Sequence, residues 1–104
     1  MTKPRFSIVI PCYNKSAYIE KALESLRRQT FRGSYEIVVV DNNSTDDTAA
    51  KAERLGARVV HEKRPGVCWA RQRGTEAARG EIIVSTDADS TFQPDWLSTI
   101  DKHF

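Results

Sequence analysis

Glu81-Ile82-Ile83-Val84-Ser85-Thr86-Asp87-Ala88-Asp89 is a short apolar run that ends in two carboxylates one residue apart. Gly80 bounds it on one side and a polar cluster on the other, the pattern of a buried strand feeding a turn. Carboxylates at i and i+2 just past a strand end can approach one hard cation together, whereas the same charges inside the strand would be costly to bury. Taken alone, Asp-x-Asp at this place also describes a solvated turn or a helix cap, so its meaning depends on the rest of the chain.

Upstream, the same kind of unit recurs. Phe6-Ser7-Ile8-Val9-Ile10 reads as a buried strand stopped by Pro11, and from Ser16 to about Gln29 the apolar Ile19, Ala22, Leu23 and Leu26 recur at helical spacing. Glu36-Ile37-Val38-Val39-Val40 is a second β-branched run ending at Asp41. Asn42-Asn43-Ser44 then leads into a helix, with Ser44 and Asp47 spaced as a capping pair and Gly56 closing it. Ala57 to His61 forms a third, shorter strand. After the Arg64-Pro65-Gly66 turn, a helix runs from about Val67 to Ala78 and ends at Gly80. Its small residues Ala70, Gly74, Ala77 and Ala78 share a face that can lie close to a sheet, with Arg71 pointing elsewhere. Past Asp89, Pro94-Asp95-Trp96-Leu97 opens a last helix whose apolar residues are Trp96, Leu97 and Ile100. Strand and helix alternate without a linker or repeat. The expected fold is α/β: a Rossmann-like open parallel sheet of about four strands, with right-handed crossovers and helices on both faces.

The 104 residues make one small domain, 39% hydrophobic and 29% charged, the balance of a soluble globular chain. No apolar run approaches the roughly 18 residues of a membrane span, no signal peptide is evident after Lys3-Pro4-Arg5, and cytoplasm is the expected location. Cys12 and Cys68 are far apart and lack metal-ligand spacing, so both read as free thiols, Cys12 as a small space-filling residue; His61 and His103 likewise have no partners at ligand spacing. The net charge of +2 is uneven: residues 51–80 hold eight Lys/Arg against three Glu, and residues 81–104 hold five acids against Lys102. A basic segment of this kind can meet phosphates and an acidic one a cation, although helical surface charge is more commonly solubilising. Without a strong basic excess or basic-aromatic interleaving, no nucleic acid partner is expected.

In open α/β sheets ligands bind outside the carboxyl ends of the strands, where strand order reverses. Pro11-Cys12-Tyr13-Asn14, Asp41-Asn42-Asn43-Ser44 and Asp87-Ala88-Asp89 would all converge on that edge. The glycine patterns of a dinucleotide fold and of a P-loop are absent.

With those residues in place, the chain resembles the family 2 glycosyltransferases, enzymes of the GT-A fold that use a nucleotide-sugar donor. The resemblance is carried by Ser7-Ile-Val-Ile-Pro11-Cys-Tyr13-Asn14, by Leu23, Ser25, Leu26 and Gln29, and by Glu36 through Thr48. It continues in Gly66, Ala70-Arg71, Gly74, Ala78-Arg-Gly80-Glu81 and Asp87-Ala-Asp89 with Pro94, Trp96 and Leu97, together spanning about residues 6–97. It implies that Pro11, Tyr13 and Asn14 belong to the donor site, Pro11 and Tyr13 lining the base pocket, and that Asp41 and Asn42 hydrogen-bond the nucleoside. Arg71 would lie toward the donor phosphates. Asp87-Ala88-Asp89 is similar to the family's DXD motif, in which Asp89 would ligate Mg²⁺ or Mn²⁺ and Asp87 would serve both ribose and metal. Asn42 stands where many members have a second acid, and Gln72 where many have Asn.

The resemblance also implies a single nucleotide-sugar-binding domain over 1–104, truncated before an acceptor-binding half that carries the general base of an inverting transfer. Asp95 and Asp101 read as a helix-start charge and a solvated residue rather than as that base. Trp96, Leu97, Ile100 and Phe104 would then form exposed apolar surface and favour self-association. The expected donor is a UDP-, GDP- or dTDP-sugar, the acceptor being open. Two other readings compete: a non-catalytic module that uses the same edge to bind a nucleotide or a partner chain, and a nucleotidyltransferase, against which the lack of a Gly-rich Arg/Lys loop after the first strand counts.

Overall fold

The computed structural model describes residues 3–104, and in them strand and helix alternate as expected: β1 (Phe6–Cys12), α1 (Ser16–Arg27), β2 (Tyr35–Asp41), α2 (Thr48–Arg54), β3 (Arg58–His61), α3 (Val67–Ala77), β4 (Ile82–Ser85) and α4 (Trp96–Asp101). The sheet has the order β3-β2-β1-β4 and every pairing is parallel. The chain steps outward from β1 to β2 to β3, then crosses back to place β4 on the other side of β1. Strand order therefore reverses between β1 and β4.

Pro11 does not stop β1, contrary to the sequence reading: the strand runs on, pairing Pro11 with Val40 and Cys12 with Asp41. The reason lies in the register. The Val9 carbonyl accepts the Thr86 N–H and the Cys12 carbonyl accepts the Asn42 N–H, so odd positions of β1 face β4 and even positions face β2. Pairing with β4 ends at Val9–Ser85, and the N–H that proline lacks would have pointed past that end.

Side chains alternate between two layers. Phe6, Ile8, Ile10 and Cys12 of β1 join Ile37 and Val39 of β2, and helix residues Ile19, Leu23 and Leu26 of α1, Ala52 of α2 and Leu97 of α4 close this larger core. On the opposite face Val9, Val38 and Val40 meet Ala70 of α3. The small-residue face of α3 works as the sequence implies. A Cβ added at Gly74 would come within 2.3 Å of a Val9 methyl, so only glycine permits this approach of helix to sheet.

At the amino-terminal end of the sheet one carboxylate ties several segments together. Glu36 of β2 accepts the Ser7 hydroxyl of β1 at 2.5 Å and the Arg79 N–H at 2.6 Å, and pairs with Arg58 of β3 at 2.9 Å. Ser7, fully buried, also accepts the Gly80 N–H at 2.7 Å, and a Cβ at Gly80 would strike the β1 backbone 2.6 Å away. Partial burial works against ionisation of Glu36, but the hydrogen bonds from Ser7, Arg79 and Arg58 outweigh it and hold the carboxyl below its ordinary range.

Two expectations near helix ends are corrected. Helix α2 begins at Thr48, and Ser44 with Asp47 does not form a capping pair. Asp46 instead accepts the Thr48 N–H at 3.0 Å and, across the sheet edge, the Ser16 N–H that opens α1 at 3.2 Å, while the Asp47 carboxylate takes the Ser16 hydroxyl. One loop thus caps both helices. The apolar residues of α4 are not left bare either. Leu97 is fully buried, Trp96 and Ile100 pack on the larger core, and only Phe104 of the four is largely exposed. Gln29 fastens this helix to α1, accepting the Leu97 N–H at 2.9 Å and donating to the Gln93 carbonyl at 2.7 Å.

Candidate functional site

A cleft of about 650 Å³ opens at the carboxyl ends of β1, β2 and β4. Its walls are Pro11, Cys12, Tyr13 and Lys15 after β1, Asn42 and Asn43 after β2, Pro65, Gly66, Val67 and Ala70 at the start of α3, and Asp87, Ala88 and Asp89 after β4. This is the edge where strand order reverses, and three segments far apart in sequence meet there because parallel strands all deliver their ends to one side.

Of the residues expected from sequence, Pro11, Tyr13, Asn42, Asp87 and Asp89 line the cleft, whereas Asn14, Asp41 and Arg71 are not among its lining residues. Asn14 adopts a positive φ of 50°, a conformation asparagine tolerates. It splices the first two loops: its N–H donates to Ser44 Oγ at 3.0 Å and its Oδ1 accepts the Thr45 N–H at 2.7 Å. Asp41 is buried, accepting the Ser44 N–H at 3.0 Å and lying 3.5 Å from His61 Nδ1. Arg71 projects from α3 to the Asp87 carboxylate at 3.2 Å and to the Ser85 hydroxyl.

Asn42 is 7% exposed and its amide is fully engaged by protein. Nδ2 donates to the Glu62 carbonyl at 2.9 Å and the Arg64 carbonyl at 2.8 Å, and Oδ1 accepts the Gly66 N–H at 3.1 Å. Asn43 adds a bond to the Lys63 carbonyl at 2.8 Å. The 62–66 segment is braced further by its own ion pair, Arg64 to Glu62 at 2.8 Å. The Arg64 guanidinium stacks 3.9 Å from the Trp69 ring centroid. Hydrogen bonds from the Arg64 side chain and then its N–H hold Glu62 down to about 2. Gly66, at φ 120°, supplies the backbone turn from this segment into α3.

The acidic corner is built differently. Ala88 is buried in the larger core and anchors the turn, leaving the carboxylates on either side of it exposed toward the cleft. Among the described residues no group of three or more His, Cys, Asp or Glu converges as a metal cluster. Two carboxylates are nevertheless a donor set that suits Mg²⁺ or Mn²⁺, cations commonly held by one or two carboxylates with ligand phosphates and water completing the shell. Cys12 also lines the cleft, but burial, then the Asp41 charge, pushes its thiol up to about 12, which disfavours the thiolate. Lys15, Asn43, Pro65 and Val67 were not among the expected site residues. Their positions beside the Tyr13-Asn14 and Asp41-Asn42 loops and the Arg64-Pro65-Gly66 turn were the available signal.

The model of the family described as Glycosyl transferase family 2 matches residues 7–104. Among solved structures, S. aureus TarS in complex with UDP-GlcNAc is 30% identical with a TM-score of 0.81, covering 94% of this chain and 30% of its own. The mannosyltransferase PcManGT from Pyrobaculum calidifontis, in complex with GDP-Man and Mn²⁺, is 35% identical with a TM-score of 0.77, covering 88% of this chain and 29% of its own. A curated relative, the PGL/p-HBAD biosynthesis glycosyltransferase of Mycobacterium tuberculosis, is 36% identical over an alignment of 107 residues that covers 96% of this chain and 41% of that protein. The chain spans 29% to 44% of the length of the first curated relatives it matches. Among the described residues no helix is long and apolar enough to cross a membrane.

Proposed function

Because this chain belongs to glycosyl transferase family 2, we propose that residues 1–104 form one nucleotide-sugar-binding domain that presents a donor for inverting transfer of its sugar. The observation that carries this reading is the meeting of Pro11, Tyr13, the Asn42-braced 62–67 segment and Asp87-Ala88-Asp89 around one cleft at the strand-order reversal. Tyr13 and Val67, both more than half exposed, offer apolar surface to a base and ribose. Asn42 acts through the backbone it braces, its own polar atoms being engaged. Asp87 and Asp89 would hold a divalent cation, Mg²⁺ or Mn²⁺, and Asp87 would also serve the ribose. A cation bound there neutralises charge developing on the leaving nucleoside diphosphate.

UDP-GlcNAc and GDP-Man occur with the two structures above, so UDP and GDP are the first donors to test, dTDP next. The general base and the acceptor contacts belong, in this reading, to the part of the relatives' length that this chain does not span.

Calorimetric titration with UDP, GDP and dTDP, with and without Mn²⁺ and repeated on Asp89→Ala, tests the proposal. Binding that needs both Mn²⁺ and Asp89 is the expected result. Failure of every nucleotide to bind the folded chain would refute it.

A further inference from the structure

The Arg71–Asp87 contact carries an inference beyond the site itself. Asp87 is half of the acidic pair; among the described residues Arg71 is the one cation it pairs with, at 3.2 Å, and Asp89 forms no ion pair. Arg71 is anchored by a helix that cannot slide, since Ala70 is fully buried and Gly74 is pressed against Val9. The residues just before it, Gly66, Val67 and Ala70, belong to the cleft wall. Its guanidinium thus stands beside the acidic corner, and in the donor-site reading above it would lie toward the donor's phosphates.

We infer that Arg71 is a positioning residue that serves as an exchangeable internal counter-ion: it neutralises Asp87 in the ligand-free chain and yields Asp87 to the divalent cation when a diphosphate offers the guanidinium a better partner. The inference rests on the donor-site reading above. Its physics is a competition of two cations for one carboxylate. While Arg71 holds Asp87, a metal ion must displace it, so metal alone binds weakly. A diphosphate accepts the guanidinium in a bidentate contact that the single 3.2 Å bond to Asp87 does not match. By linkage, nucleotide and metal then favour each other by the same factor, and part of that factor is the freed Arg71 contact.

Because the pair is exposed on both sides, its strength is that of a surface ion pair, which corresponds to a change in metal affinity of roughly two- to fivefold. The test compares Mn²⁺ affinity, read by electron paramagnetic resonance of the free ion, for the unaltered chain, Arg71→Gln and Arg73→Gln, without nucleotide. Arg73 lies on the same helix and removes the same charge, so it corrects for the general loss of a cation. The expected result is tighter Mn²⁺ binding by Arg71→Gln, by roughly two- to fivefold beyond Arg73→Gln. Equal affinities for the two variants would overturn the inference. Arg71→Lys, which keeps the charge but loses the fork, is expected between the two and decides the matter should the Gln variant not fold. Adding UDP or GDP provides the second readout: nucleotide should improve Mn²⁺ affinity by a smaller factor in Arg71→Gln than in the unaltered chain, and an equal factor counts against the exchange. If neither nucleotide binds the unaltered chain, the donor-site reading fails, while the nucleotide-free comparison still decides whether Arg71 and metal compete.

Discussion

On the β2 side of the cleft, Asn42 is 7% exposed and spends its whole amide on the backbone of 62–66, whereas on the β4 side Asp87 keeps a side chain 66% exposed and a single ion pair. The first wall is rigid before any ligand arrives: amide, ion pair and cation–π stack all brace one short segment. The second is held only at its base, by buried Ala88, and its carboxylates answer to whatever cation is present. In the proposed site, shape selection and charge response are thus divided between the ends of β2 and β4, the two strands that flank β1. A wall proposed to discriminate gains from preorganisation, while a corner proposed to bind and release a metal gains from exposure.

Replacing Asn42 by Asp attacks the rigid wall most directly. The one amide nitrogen that donates both N–H bonds becomes a carboxylate oxygen facing the Glu62 and Arg64 carbonyls, and the expected cost is about 2–4 kcal/mol in chemical denaturation. A loss below about 0.5 kcal/mol would mean that the segment holds its shape without the amide. Acid titration probes the same wall more gently. Glu62 ionises near 2 in the folded chain against an ordinary 4.5, so its contribution is present above 4.5 and disappears as pH falls from there toward 2. The melting temperature of the unaltered chain should therefore drop more steeply across that range than that of Glu62→Gln; parallel curves would remove Glu62 from the account. The smallest effect on stability is expected at the other wall. Asp89→Asn should shift unfolding by no more than about 0.5 kcal/mol, because the side chain is exposed and forms no ion pair among the described residues. It should nonetheless weaken Mn²⁺-dependent nucleotide binding by about tenfold or more, measured by calorimetry. A large stability loss there would place Asp89 in the structure of the turn instead of in a site.

The fold was legible because its signals are local. β-branched runs, helical periodicity in α1 and the glycine-alanine face of α3 each act within a dozen residues, and Asp87-Ala88-Asp89 follows its strand directly. Pro11 misled because its cost depends on where β4 ends, a fact of register that no local window contains. The Ser44–Asp47 spacing failed for a similar reason: Asp46 and Asp47 are drawn to Ser16, some thirty residues away. The cleft that Pro11, Tyr13, Asn42, Asp87 and Asp89 share was legible as a meeting of strand ends, and the contacts each of them makes were less so. That Asn42 faces backbone carbonyls, and that Arg71 meets Asp87, follow from the path of the 62–66 segment and the seating of α3. The α4 surface was misjudged because Gln29 and the larger core claim it.

The Glu36 hub bears on how quickly the molecule comes apart. Its contacts join residues separated in sequence by 29, 22 and 43 positions, and Ser7 reaches Gly80 across 73. Contacts of such span close only after the intervening chain has been ordered, so the hub belongs to the late stage of assembly. Removing its charge with Glu36→Gln should leave the refolding rate nearly unchanged and raise the unfolding rate several-fold in stopped-flow measurements. The carboxylate then acts as a latch on the finished sheet, lengthening the lifetime of the folded state without hastening its arrival.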